Sequence, residues 1–261
     1  MLTSTYPTNV QLLILVNLHL NEPIPFAGHF SAQVSLLTRL AWLCDKTSTQ
    51  NLDALIDDMQ TGKPTWWDEA NAVLSDDEIL GSVVRSYPDE SLVGRGDLFS
   101  TLVRSIVGQQ ISVIAADAVW GRLVEMVGEI TPESLRKFTP EQLATCGLSR
   151  PKSSYIHGLA LEAKALILDN WDELNDEQLL KHFIQFRGVG PWTAEMILIF
   201  TLMRPDVFSI GDIGLIRAVQ KLVPEAETKE KVLEISQRWA PYRTAASWYL
   251  WRMLDPVPVE Y

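Results

Sequence analysis

The residues best placed to do chemistry lie in the second half of the chain. Gly188 and Gly190 bracket Val189 in Phe186-Arg-Gly-Val-Gly-Pro-Trp-Thr-Ala194. Glycines permit positive φ and let the backbone approach another surface closely. Their amides, followed by a helix opening at Pro191, form a concavity that can hold an anion such as a phosphate. The same pattern also serves a tight turn between two helices, with no ligand at all. Asp212 follows 22 residues after Gly190 and immediately precedes the periodic run Ile213–Leu222. Its type and place suit an N-cap, where a carboxylate accepts backbone N–H groups. One helix and a short loop separate the two sites, so both helix starts can face one groove. Asp206 is the nearest rival carboxylate.

From about residue 75 the chain reads as short amphipathic helices with few alternating stretches, which places it in the mainly α class. Capping-box patterns at Ser75–Glu78, Thr139–Gln142 and Asn175–Gln178 each predict a helix start. Apolar residues from Leu98 to Val127 keep helical spacing across a break at Gly108-Gln-Gln110. Further helices are expected over Tyr155–Leu168, Glu177–Phe186, Trp192–Met203, Ile213–Leu222 and Glu230–Trp239. Gln11–His19 fits either a strand or a helix, and Ala32–Cys44 reads as a helix.

Cys44 and Cys146 stand alone, with no CxxC pair to hold zinc or an iron–sulfur centre. A reduced, cytoplasmic protein is expected. The apolar run Val10–Leu20 contains Gln11, Asn17 and His19 and is too short to span a bilayer. The 261 residues carry a formal charge of −11, unusual for a nucleic-acid binder, but nine of the eleven surplus negative charges precede residue 146. Modest non-specific DNA affinity, falling steeply with salt, is what this distribution allows.

Four segments together carry a resemblance. They are Leu102-Val-Arg-Ser-Ile-Val-Gly-Gln-Gln-Ile-Ser112, Phe186–Ala194, Arg204-Pro-Asp-Val-Phe-Ser-Ile-Gly-Asp-Ile-Gly-Leu215, and Arg238-Trp-Ala-Pro-Tyr-Arg-Thr-Ala-Ala-Ser-Trp-Tyr-Leu-Trp251. In this order the sequence resembles the helix-hairpin-helix DNA glycosylases, specifically their 3-methyladenine DNA glycosylase II branch, over roughly residues 64–256. The resemblance implies a two-lobed helical bundle over 64–261 with the hairpin at its cleft, preceded by a segment 1–63 of unknown role. It further implies that Asp212 is catalytic, stabilising an oxocarbenium-like sugar as a damaged base departs.

Bifunctional members carry a lysine where this chain has Trp192, and that amine forms a Schiff base with the sugar. Tryptophan implies hydrolysis without strand cleavage. Trp192, Met196 and Trp251 match positions lining the pocket for a flipped base, with Trp248 and Tyr249 in support. Met196, whose thioether is a softer and more adaptable lining than a ring, stands where a close relative has tyrosine. Gln110, with Gln109 beside it, matches the wedge that fills the space left in the duplex.

Gly188, Val189, Gly190 and Thr193 are implied contacts to the DNA backbone. Carbonyls of Ile184, Phe186 and Val189 are implied ligands for a monovalent cation. No cofactor or catalytic metal is expected. The expected partner is double-stranded DNA containing a damaged base, bound by a monomer away from any membrane. Lys152, Arg187 and Arg217 suit phosphate contacts or plain solvated surface. Two alternatives stay open: a non-catalytic DNA grip, and a glycosylase for oxidised or mismatched bases.

Overall fold

The structure, a computed structural model, describes residues 61–168 and 170–255. The expectations for Gln11–His19 and Ala32–Cys44 lie outside the described residues, as does most of segment 1–63. A two-residue antiparallel pair, β1 (Thr61–Gly62) with β2 (Gly94–Arg95), accompanies twelve α-helices among the described residues. These are α1 (Trp67–Ser75), α2 (Gly81–Arg85), α3 (Leu98–Gly108), α4 (Val113–Val127), α5 (Pro132–Leu135) and α6 (Pro140–Ala144), followed by α7 (Arg150–Leu166), α8 (Asp176–Phe183), α9 (Pro191–Phe200), α10 (Ile213–Leu222), α11 (Lys229–Ser236) and α12 (Arg243–Leu254).

Helix starts follow side-chain chemistry. Thr139 and Gln142 close a reciprocal capping box on α6, as do Asn175 and Gln178 on α8. The break after Gly108 divides α3 from α4, whose first turn is capped by Ser112. Helix α7 begins at Arg150 rather than near Tyr155, because Ser149 caps it and Pro151 fits its first turn. Helix α8 ends at Phe183, three residues short of the expected Phe186. Helices α9 and α11 also stop early, at Phe200 and Ser236, the latter giving way to a 3-10 turn over Gln237–Trp239.

Ser75 does not open a helix. It closes α1, where its hydroxyl donates back to the Asn71 carbonyl at 2.6 Å. The capping carboxylate is Asp77, whose Oδ1 accepts the N–H groups of Ile79 and Leu80 at 3.0 and 2.8 Å ahead of α2.

Packing sorts the helices into two lobes. In one, α12 lies against α10, α1 and α2, with α11 on α10. The other gathers α3 against α4, α7 and α9, with α5 and α6 on α7 and α8 on α9. The described residues therefore open in the first lobe, build the second, and return through the α9–α10 connection that carries Asp212. Trp67, Trp239 and Tyr249 are the largest fully buried side chains, and Trp67 meets Trp248 edge-on at 5.4 Å between centroids.

Asp77 ties the two ends of the first lobe. Its Oδ2 accepts Arg238 Nε–H at 2.7 Å, and its Oδ1 accepts Trp239 Nε1–H at 3.2 Å. Burial alone would raise its pKa, but these two donors and the Leu80 and Ile79 amides outweigh that and hold it below the ordinary range. A depressed carboxylate contributes stability that is present above its unfolded pKa and lost as pH falls through the folded one. Asp77→Asn is expected to destabilise the protein by about 1–2 kcal/mol at neutral pH. Thermal melts from pH 7 to 3 should show the gap between variant and wild type narrowing on the acid side.

Candidate active site

Asp212 caps α10 and is only 8% exposed. Three N–H donors meet its carboxylate. Oδ1 accepts the Leu215 amide at 2.9 Å and Trp251 Nε1–H at 3.2 Å, while Oδ2 accepts Trp192 Nε1–H at 2.8 Å. Burying a charge without partners is costly, and charge-assisted bonds of this kind offset the cost. Each donor comes from a different helix. Leu215 is in the first turn of α10, Trp192 in the first turn of α9, and Trp251 near the end of α12, where its ring stacks on Phe200 at 5.8 Å. Beyond the flat walls for a base that their place in the sequence implies, the two tryptophans present indole N–H edges that orient the carboxylate.

Two further residues shape this cradle and were not anticipated. A Cβ at Gly214 would stand 2.9 Å from Asp212 Oδ1 and 3.5 Å from Trp251 Cδ1, so the carboxylate and indole can close together only over a glycine. Glu195, one turn after Trp192 on α9, accepts the Ser209 hydroxyl. The rival Asp206 is committed elsewhere, accepting Arg243 Nε–H and Nη2–H at 2.7 and 2.9 Å.

Other expected pocket residues lie deeper. Met196 is fully buried within α9, beneath any accessible wall in this conformation. Trp248 and Tyr249 belong to the first lobe's core, with the Tyr249 hydroxyl donating to Asn71 Oδ1 at 3.2 Å.

The connector 184–190 forms the hairpin between α8 and α9. Gly188 has φ 90°, and a Cβ there would fall 2.3 Å from Tyr155 Cγ, so both conformation and space demand glycine. Arg187 lies over the Tyr155 ring at 5.6 Å. Val189 is buried and donates its N–H to the Phe186 carbonyl at 3.0 Å, while Gly190 precedes α9 in an extended conformation. The Phe186 carbonyl keeps a second lone pair for the implied cation. The Ile184 and Val189 carbonyls sit on the same connector.

The hairpin is braced against the loop between α3 and α4. Gln109 donates from Nε2 to the Gly188 carbonyl and to Thr193 Oγ1, both at 2.9 Å. This side chain is therefore engaged in a brace rather than presented as a wedge. Thr193 is buried, so its hydroxyl serves the same brace. Gln110 next to it is exposed, at φ 59° on the turn. Lys152 is no surface cation: it donates to the carbonyls of Val107 and Gln109 at 2.9 and 2.6 Å, and burial pushes its pKa down. Arg217 is exposed on α10.

Residues 103–241 match the model of the HhH-GPD superfamily, base excision DNA repair proteins. The chain belongs to that superfamily. It is 32% identical over 194 residues to the DNA-3-methyladenine glycosylase of Bacillus subtilis, a match covering 68% of this chain and 64% of that protein. It is 32% identical over 181 residues to DNA-3-methyladenine glycosylase 1 of Schizosaccharomyces pombe, covering 66% and 79% respectively. The chain thus spans just under two thirds of the Bacillus relative's length.

Among solved structures, the S. pombe 3-methyladenine DNA glycosylase in complex with abasic DNA superimposes with a TM-score of 0.64 at 30% identity, covering 74% of this chain and all of that one. Asp212, the hairpin and the Gln109–Gln110 loop all fall inside the matched region of the superfamily. No helix among the described residues is long and apolar enough to cross a membrane.

Gly188→Ala is expected to open the hairpin, since the added methyl meets Tyr155 and the backbone sits at positive φ. Melting temperature should fall, and affinity for duplex DNA carrying an abasic-site analogue should fall about tenfold or more, measured by fluorescence anisotropy. Wild-type affinity would show that the hairpin backbone does not carry binding.

Proposed function

We propose that this chain is a monofunctional DNA glycosylase that removes an alkylated purine, such as 3-methyladenine or 7-methylguanine, from double-stranded DNA and leaves an abasic site. One observation carries the reading: a buried aspartate held by three N–H donors at the start of α10, with one donor at the first turn of the helix that follows the Gly-x-Gly hairpin. Membership in a superfamily of base excision repair proteins and the names of the relatives support it. A passive DNA grip has no use for a carboxylate desolvated at this cost, and the three-way cradle favours catalysis over that alternative.

The chemistry follows from charge. Alkylation at N3 or N7 makes the purine cationic, so the C1′–N bond breaks with its electron pair going to the base, which leaves neutral. The sugar becomes oxocarbenium-like. Asp212, unable to rotate away because both oxygens are held, stabilises that positive charge. A water then forms the new C1′–O bond and releases its proton to solvent or to the carboxylate. Trp192 has no amine to attack C1′, so no Schiff base forms.

Binding is assigned to the backbone of Gly188, Gly190 and Thr193 at the start of α9, a dipole end suited to phosphate, with Val189, whose amide is spent on the Phe186 carbonyl, holding the turn between them. A monovalent cation held by the carbonyls of Ile184, Phe186 and Val189 would reinforce that charge. Gln110 is the proposed wedge, exposed at the tip of a loop braced from behind. The ring of Trp192, partly exposed above Asp212, is the proposed stacking surface for the flipped base. The protein is proposed to act as a monomer.

Asp212→Asn is expected to slow single-turnover release of 7-methylguanine at least a hundredfold, about 3 kcal/mol of transition-state stabilisation, while binding of an abasic analogue stays near wild type. Gly214→Ala, which pushes on the same carboxylate, should cost about tenfold in rate. Borohydride should trap no covalent protein–DNA adduct. Normal turnover by the asparagine variant, or a trapped adduct, would overturn the reading.

A further inference from the structure

The connection from α9 to α10 ends in Ser209-Ile-Gly-Asp212, and its local geometry is a β-turn: the Asp212 amide donates to the Ser209 carbonyl at 3.0 Å. Ser209 is the first residue of this turn and Asp212 the last. The turn is short and has a glycine at position 211, so its shape is fixed less by its own side chains than by what holds its ends. Trp192 holds the far end through Asp212 Oδ2. The near end is held by Glu195, which accepts the Ser209 hydroxyl.

Trp192 and Glu195 are separated by three positions on α9, so they rise from one face of that helix. A single helix face therefore grips both ends of the turn that delivers the carboxylate. Ser209 is fully buried, and its hydroxyl also has no solvent to turn to. The geometry points to Glu195 as a positioning residue: through Ser209 it sets where Asp212 stands, without touching the reacting atoms.

Independent support comes from charge. Burial raises the Glu195 pKa, the Ser209 bond opposes that rise, and the negative charge of Asp212 adds to it. Burial and the field of Asp212 disfavour the charged form of this second carboxyl, and the Ser209 hydroxyl bond is the contact that opposes them. With the raised folded pKa, the stability associated with this group is greatest below its unfolded pKa and declines as pH rises through the folded one.

The inference rests on Asp212 being catalytic, and its test separates the two. Single-turnover excision of 7-methylguanine would be measured for Glu195→Ala, Ser209→Ala, their double variant and Glu195→Gln, beside Asp212→Asn, with abasic-analogue affinity and melting temperature for each. Glu195→Ala and Ser209→Ala should each slow excision about tenfold at near-constant affinity. The double variant should be no slower than either, since both remove one contact. Glu195→Gln keeps an acceptor for the hydroxyl and should recover most of the rate.

Wild-type rates for Ser209→Ala and Glu195→Ala beside an inactive Asp212→Asn would overturn the positioning role and leave the catalytic reading intact. A glutamine variant as slow as the alanine one would overturn it too, by showing that charge rather than the hydrogen bond matters. An active Asp212→Asn would instead remove the catalytic reading on which both depend. Ser209→Ala, a loss of one oxygen, keeps the test open should Glu195→Ala fail to fold.

Discussion

The arrangement around this site answers one requirement, that a carboxylate be held still while almost out of water. Asp212 meets it by taking three N–H groups from three helices, two of them indoles whose rings cannot swing away without disturbing a stacked or packed neighbour. The requirement explains the two-lobed arrangement. Trp251 and Leu215 belong to the lobe built from α1, α2 and α10–α12, Trp192 to the other, so the cradle exists only when the lobes meet. It also explains why a glycine follows two residues after the aspartate, where any side chain would occupy the space the carboxylate needs.

Much of this was legible in the sequence, for identifiable reasons. Caps are local, so Thr139 with Gln142 and Asn175 with Gln178 marked real helix starts. Amphipathic helices announced themselves by period, as α10 did with the bounds Ile213–Leu222. Helices α1 and α12 were not anticipated. Residues Thr244–Trp251 of α12 are buried on every side, and a helix without a polar face carries no periodic signal. Ser75 misled because the residues that form a capping box also close helices, and only the tertiary contact of Asp77 with Arg238 and Trp239 decides which carboxylate caps α2.

At the site, residue types were legible and their contacts were not. Motif order selected Asp212, Trp192 and Trp251, yet a tryptophan in a sequence shows a ring and hides which way its N–H points. Gln109 and Gln110 are indistinguishable as letters. The structure separates them by backbone conformation: the chain turns at Gln110, leaving that side chain exposed, while Gln109 reaches back to Gly188 and Thr193. Met196 read as pocket lining and Lys152 as a phosphate contact or solvated surface, whereas one is fully buried in α9 and the other is half-buried and spent on the carbonyls at the end of α3.

The acidic composition then ceases to be a paradox. In a chain of net charge −11, two of the cations expected to meet phosphate are otherwise engaged, Lys152 internally and Arg187 over a tyrosine. The proposed grip uses neutral donors, the amides of Gly188 and Gly190 and the positive end of the helix that follows, which would hold an anion without a formal charge. Such a grip depends on shape, because amides must be aimed where a lysine need only be near. The brace from Gln109 and Lys152 supplies that rigidity: Gln109 joins the turn to Gly188 and Thr193 through two hydrogen bonds, and Lys152 ties the end of α3 to α7 through two more. Loop and hairpin are held as one body, so a contact made by either is felt by the other, and both stand on the helix whose first turn orients Asp212.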